Sequence, residues 1–506
     1  FGFKGILGHN VNQRTTKSQI FTGKNIVAPG IYSLSNTKSV LPTEDIFQRR
    51  RLWGIFAEVD LDYKKWLFLN ITGRNDWSST LPKSNRSYFY PSVTASWIFT
   101  DALKMDSKVL TFGKLRAGWA KVGRDADPYT LANIFNVNSA FLGQSGVVQY
   151  PTAGNDQLKP EFTQDFEVGT NLEFFDRRIA LDFAWYTRTS TNLIAPLTLP
   201  SSSGYTQVFD NYGKLTNKGI EVDLNFVPVK TKDLTWSFHW IFTKNRSLVK
   251  ELKPGVDRLV LNGVLDEMSP YLEAGKPYGY LRGTQDARDP NGNLLIDPAT
   301  GLLIRSTEQG MVGDPNPDFK TGLSTTLNYK GFFLNALFDL TRGGDIYSVT
   351  VSSLLGRGVT LDTKDREHLI IIPGYYGDAN TGLPLLDSKG EQIPNQTQIS
   401  LFESYFGETF AINSATEWNV YDATVWTFRE LSVGYDFPKD WFERTPIGSL
   451  SLSFTARNLW YLAPYVPRYS NFNPEVGSFG STNTQGIELS GAPTTRRFGV
   501  NLKVTF

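Results

Sequence analysis

Cysteine is absent from the 506 residues, so the chain has neither a disulfide framework nor a thiol site, and thiol chemistry says nothing of its redox compartment. An excess of one charge is missing too. Against 50 Asp and Glu stand 51 Lys and Arg, a net charge of +1 that leaves no basic field for nucleic acid and no acidic tail. Only three histidines occur, His9, His239 and His368, far apart and in no ligand-like spacing, which argues against a metal site built on imidazoles. There is no nucleophile elbow and no paired-carboxylate pattern above ordinary polarity, so the chain does not read as an enzyme. No run approaches the roughly 20 apolar residues of a membrane-spanning helix. That absence leaves a strand-built membrane protein open, because strands of about ten alternating residues give only a weak hydropathy signal. The first residue is Phe1, nothing near it has the form of a signal peptide, and we expect the chain to be the later part of something longer.

What is abundant is aromatic: 35 Phe, 22 Tyr and 12 Trp make up 14% of the chain, which suits a surface with two wet–dry boundaries to mark. Two-residue alternation is the other recurring feature. In the closing stretch Phe498, Val500, Leu502, Val504 and Phe506 alternate with Gly499, Asn501, Lys503 and Thr505. Trp53, Ile55, Ala57, Val59 and Leu61 alternate with Gly54, Phe56, Glu58, Asp60 and Asp62, and Ile220, Val222, Leu224 and Phe226 stand opposite Gly219, Glu221, Asp223 and Asn225. Leu234, Trp236, Phe238, Trp240 and Phe242 form a further apolar stripe. About fourteen such strands follow one another, with no convincing amphipathic helix between them.

Their connections take turns between short and long. Tight links such as "DYKKW", "FFDRR", "VPVKTKDL" and "YKGF" alternate with the stretches 14–45, 73–87, 121–163, 188–217, 244–318, 348–424 and 461–495. All long loops then fall at one end and both termini at the other. This asymmetry belongs to an all-β transmembrane antiparallel β-barrel of the outer-membrane type, whose closed sheet satisfies every backbone group in lipid while a wide lumen stays polar. A soluble sandwich or propeller has no need of it.

Several segments carry a family resemblance. Tyr90-Pro91-Ser92-Val93-Thr94-Ala95-Ser96-Trp97 resembles a "FPS(V)xxxW" strand, and "GKLRAGWAKVGRD" a "KLRxSxGxxGN" strand with Asp125 where Asn is more usual. "LKPEFTQDFEVGTNLEFFDRR", "NYGKLTNKGIEVDL", "GDPNPDFKTGLSTTLNYKGFFL", "RELSVGYDFP", "ARNLWYLAPY" and "NFNPEV" follow in matching order. Over essentially its whole length the chain resembles the SusC/RagA class of TonB-dependent outer-membrane transporters. The resemblance implies that residues 1–506 are the C-terminal portion of a roughly 22-stranded barrel. The plug domain, the TonB box and the first strands would lie outside the chain. It further implies energised import of a bulky nutrient, an oligosaccharide or oligopeptide, across the outer membrane of a Gram-negative bacterium. The implied partners are a SusD-like surface lipoprotein, the TonB-ExbB-ExbD complex, outer-membrane lipid and the cargo. A passive porin-like channel and a secreted glycan-binding β-protein are the alternatives. Against the latter stands the stripe Trp236, Phe238, Trp240 and Phe242, which would need covering in water.

Candidate cargo contacts are the loop aromatics Trp77, Tyr347, Tyr375, Tyr376, Tyr461 and Tyr465, which can stack on sugar rings or peptide side chains, and the lumen carboxylates Asp182, Glu221 and Asp223. Each aromatic has a blander reading as a girdle residue, loop anchor or lipoprotein contact. Phe506 is the expected C-terminal signal for barrel assembly. In "QDARDPNGNLLIDPATG", Asp289, Asn291 and Asn293 have the alternate oxygen spacing of a calcium loop, but Gly292 precedes Asn293 and no Glu closes the site, so a polar turn is the better reading. No cofactor is expected.

Overall fold

The alternating segments pair into one antiparallel sheet of fourteen strands in the computed structural model, which describes all residues except 142, 143, 262, 264, 407–413, 480 and 481. In chain order the strands are β1 (Gly2–Ile26), β2 (Thr37–Tyr63), β3 (Leu67–Ser78), β4 (Ser87–Ile98), β5 (Leu110–Arg124), β6 (Glu161–Phe174), β7 (Ile179–Thr191), β8 (Gly213–Lys230), β9 (Leu234–Leu252), β10 (Phe319–Tyr329), β11 (Phe332–Arg342), β12 (Val425–Asp436), β13 (Ser449–Leu462) and β14 (Arg497–Thr505). Each pairs with its sequence neighbour, so β1 and β14 stand at the two ends of the ladder.

Register turns the local alternation into two continuous faces. Trp240 pairs with Leu323, Leu323 with Phe338 and Phe338 with Phe428, whose rings stack at 4.3 Å. The indole N–H groups on this apolar face are satisfied within it: Trp236 donates to Thr325 and Trp240 to Thr321, both at 2.8 Å. Among the described residues nothing covers the face, and Leu323, Phe338 and Phe454 are all more than 40% exposed. A bulge interrupts the ladder where β12 meets β11, and the extra residue is Arg429.

The tight turns are built by residues in left-handed backbone conformation: Lys64 and Lys65 between β2 and β3, Phe175 to Arg177 between β6 and β7, and Lys330-Gly331 between β10 and β11. At this same end the ring of Phe1 meets Tyr63 at 4.8 Å, and the Gly448 amide donates to the Thr505 carbonyl. The first long connection is shorter than the sequence suggests. Instead of a loop over 14–45, β1 and β2 remain paired up to residues 27–36, because Thr, Ile, Phe and Val suit the ladder and polar pairs such as Thr22 with Thr43 (3.0 Å) close it. Short helices α1 (Phe99–Ala102), α2 (Val349–Gly356) and α3 (Leu401–Phe406) also lie between strands. At these lengths no helical period can be read, and α2 is set by local capping, with the Ser348 hydroxyl accepting from the Val351 amide.

Two compact units are distinguishable. The first comprises Phe1–Trp97, Arg116–Glu167 and Arg188–Lys214 and packs Leu81, Tyr88, Ala126 and Leu158 against Tyr90, Phe162 and Phe209. At its centre the buried Asp125 carboxylate accepts from Arg50, from the Ser78 hydroxyl at 2.5 Å and from the Thr80 hydroxyl at 2.9 Å. The second comprises Ile98–Leu115, Val168–Thr187 and Leu215–Phe506. Its core sits in the connections rather than behind the sheet. There Arg258–Val260, Met268–Glu273, Tyr280–Asp286 and Arg305–Gly313 form a four-stranded sheet, and Asp345–Ser348 pairs with both Val420–Asp422 and Ile487–Glu488. Met268, Leu281, Tyr347 and Ile487 fill the space between these pieces.

Candidate functional site

Within the second unit three long connections, 253–318, 343–424 and 463–496, are locked to one another by buried polar groups. Glu488 is fully buried, and its carboxylate accepts from the Ser348 hydroxyl (2.7 Å), the Thr350 amide (3.1 Å), the Thr350 hydroxyl (2.7 Å) and the Gly491 amide (2.5 Å). A buried carboxylate is tolerated when donors surround it in this way. Asp286 accepts from the Trp418 indole at 2.5 Å, and Glu417 accepts from the Asp286 amide and from Arg288. Burial pushes the Asp286 carboxyl up to about 6, against the pull of the Trp418 hydrogen bond. Asp345 is likewise raised, first by burial, while it accepts from the Asp314 amide at 2.7 Å.

Arg429 joins the sheet to this assembly. Its guanidinium donates to Asp339 on β11 at 2.7 and 3.0 Å and to Glu475 of "NFNPEV" at 2.5 Å. Beside it opens a cavity of about 420 Å³ whose wall includes Lys320, Thr341, Asp345, Glu475 and Phe479. It offers a cation, two carboxylates, a hydroxyl and an aromatic face, a set suited to holding a polar ligand by hydrogen bonds and stacking. Among the described residues of its wall there is no nucleophile–base pair.

The residues singled out in the sequence are distributed differently. Tyr347 is buried at the centre of the loop assembly, and Tyr375 packs on Ala287, Leu295 and Ile304. Tyr376 shares a hydrogen bond with the Thr397 hydroxyl at 2.9 Å. Tyr465 is half exposed, with its hydroxyl accepting from Arg342 at 3.1 Å. Two positions expected in loops are in strands: Trp77 lies in β3, stacked on Trp53 at 4.3 Å on the apolar face, and Tyr461 lies in β13, donating to the Asn471 carbonyl. Pairing carries β3 and β13 further than their alternation suggested. The polar face holds Asp182, which accepts from Asn171 at 2.5 Å, and Asp223, which meets His239 at 2.9 Å, with Glu221 exposed on the same strand as Asp223. Phe506 is exposed beyond β14. Asp289 forms the expected turn: its two oxygens accept from the Asn291 amide and from the Asn293 amide and side chain, and these donors hold it below the usual carboxylate range.

Sequence reasoning missed Arg429, Asp339 and Glu475 as a set. Each stood in a segment that matched the family pattern or alternated, but nothing local says that the extra residue of a bulge turns toward a loop 46 residues on.

A sheet that leaves an apolar face uncovered, keeps its other face polar and gathers long, interlocked connections at one end defines an outer-membrane β-barrel protein. More particularly, the chain belongs to the TonB-dependent receptor-like β-barrel family, whose family model matches residues 2–459. It is similar to TonB-dependent receptor P3 of Formosa agariphila, 26% identical over 99% of this chain and 50% of that protein. TonB-dependent receptor SusC of Bacteroides thetaiotaomicron is 23% identical over 90% of the chain and 44% of its own length. The chain thus spans about half the length of the curated relatives it matches. In fold it resembles the solved RagAB peptide transporter, with a TM-score of 0.74, 18% identity, and 100% of this chain and 53% of the other covered. The uncovered apolar face is therefore the lipid-facing surface, and the polar face lines the lumen.

Proposed function

We propose that the protein imports a bulky nutrient, an oligosaccharide or an oligopeptide, across the outer membrane at the expense of TonB-transmitted energy, working with a SusD-like surface lipoprotein. In this reading the whole protein adds a plug, a TonB box and roughly eight further strands to the fourteen described. The interlocked connections and the lipoprotein enclose the cargo, and a pull on the plug through TonB-ExbB-ExbD opens the lumen. No covalent chemistry is needed. Phe506 serves assembly, and Tyr465, Asp182, Glu221 and Asp223 remain candidate cargo contacts beside Lys320, Glu475 and Phe479.

The single observation that best supports this reading is the cavity beside Arg429, built by three connections at the polar side of a sheet from a receptor family. Two relatives point the same way, one named SusC and the other a peptide transporter. The test is purification of the full-length protein from its own outer membrane in mild detergent, with mass spectrometry of what accompanies it. A lipoprotein together with a bound glycan or peptide is the expected result. A lone barrel without plug peptides, conducting in planar bilayers, overturns it in favour of a passive channel.

A further inference from the structure

The lipid-facing side of β8 and β9 changes character abruptly. On β9 the apolar stripe from Leu234 to Phe242 covers ~27 Å of strand, which at the usual tilt of about 35–45° spans most of an apolar band about 25 Å tall. The next positions on that face are Lys244 and Arg246. On β8 the change comes at the same height, from Ile220 to Lys218. The polar-face contacts Asn217–Asn245 (3.4 Å) and Asp223–His239 (2.9 Å) set the two strands in register, so Lys218 and Lys244 stand side by side on the opposite face.

Like charges directly opposite one another are destabilising, and here they are not neutralised within the protein. The side chains of Lys218, Lys244, Arg246 and Lys250 form no ion pair among the described residues. All four border one cavity of about 630 Å³, together with Trp185 and Ile220 of the apolar band. Two carboxylates also border it, Asp314, which accepts from the Asn316 amide and side chain at 3.0 and 2.7 Å, and Asp318, so the four cations outnumber them two to one. The niche is therefore a cationic pocket at a lipid–water boundary, on the end of the sheet that carries the long connections.

We propose that this niche binds the phosphate of a phosphorylated lipid head group in the external leaflet, with Lys218, Lys244 and Arg246 on the phosphate and the acyl chains lying along Ile220, Phe242 and Trp185. A phosphate here relieves the Lys218–Lys244 repulsion, and the apolar band continues directly from the head-group site. The inference rests on the barrel fold and not on the cargo.

The test uses full-length protein stripped of lipid in detergent and offered lipid A monophosphate or its dephosphorylated counterpart, with retention read by native mass spectrometry. The expected result is preferential retention of the phosphorylated lipid, on the order of tenfold or more, and loss of that preference in the triple variant Lys218→Gln, Lys244→Gln, Arg246→Gln. Equal retention of the two lipids by the unaltered protein overturns the proposal without recourse to any variant. So does an unchanged preference in a triple variant that keeps the heat-modifiable gel mobility of a folded barrel. Inorganic phosphate that binds as tightly as the lipid overturns it in favour of a free-anion site.

Discussion

Arg429, the residue that a bulge adds to β12, donates to Glu475 at 2.5 Å and so ties a membrane strand to the connection 463–496. Asp339 holds the other side of the guanidinium at 2.7 Å. Charge-assisted, bidentate geometry makes this a stronger link than an ordinary surface pair, and the side chains are about 70% shielded from water. Arg429→Gln should weaken the seat of that connection by about 1–2 kcal/mol, seen as roughly tenfold faster amide exchange over residues 471–479. Unchanged exchange there would show that Glu475 is held by its own loop.

Asp125 presents a sharper case because it is a buried carboxylate. Its buried carboxylate serves Arg50, Ser78 and Thr80 together, and an amide can replace only part of that acceptance while facing donors with its own N–H₂. Asp125→Asn should cost on the order of 2–4 kcal/mol in the first unit. Thermal unfolding in detergent measures it, and an unaltered midpoint would mean that Arg50 finds another acceptor.

Asp286 makes the loop assembly sensitive to pH. Its folded value of about 6 lies above the ordinary 3.8, so its protonated form is the one the fold favours. The contribution is fully present below about 3.8 and is lost as pH rises through about 6. The displacement corresponds to a stability change on the order of 3 kcal/mol. After correction for intrinsic rates, amides of 305–313 and 416–419 should exchange more slowly at pH 4.5 than at 7.5. Asp286→Asn should flatten that dependence. A profile identical in the variant would move the effect to another group.

The assignment of faces is open to direct trial. Phe238→Arg places a charge on the lipid side and should cost roughly 2–4 kcal/mol, lowering the amount of folded protein in the outer membrane. Ser237→Arg, one residue away and pointing into the lumen, should leave that amount nearly unchanged. Comparable losses from both would contradict the register observed between β9 and β10.

How far these features can be read without coordinates depends on their range. The two-residue period of Trp236 to Phe242 is a property of neighbouring residues, since side chains of a strand must alternate, and it sufficed for strand count and face assignment, while the barrel class also needed the alternation of short and long connections. Tight turns at Lys64-Lys65 and Lys330-Gly331 were equally local. The length of the first hairpin was not. Nothing in residues 14–45 alternates cleanly, and only their mutual pairing, including Thr22 with Thr43, makes them strands. The same holds for the sites. Asp125 meets Arg50 from 75 residues away, Glu488 meets Ser348 from 140, and Lys218 stands beside Lys244 only because the register of β8 and β9 puts it there. Alternation is enforced by covalent geometry within one strand, and so it is written in the order of residues. Contacts across the sheet and between connections depend on which ladders form and where a bulge shifts them, and only the folded chain decides that.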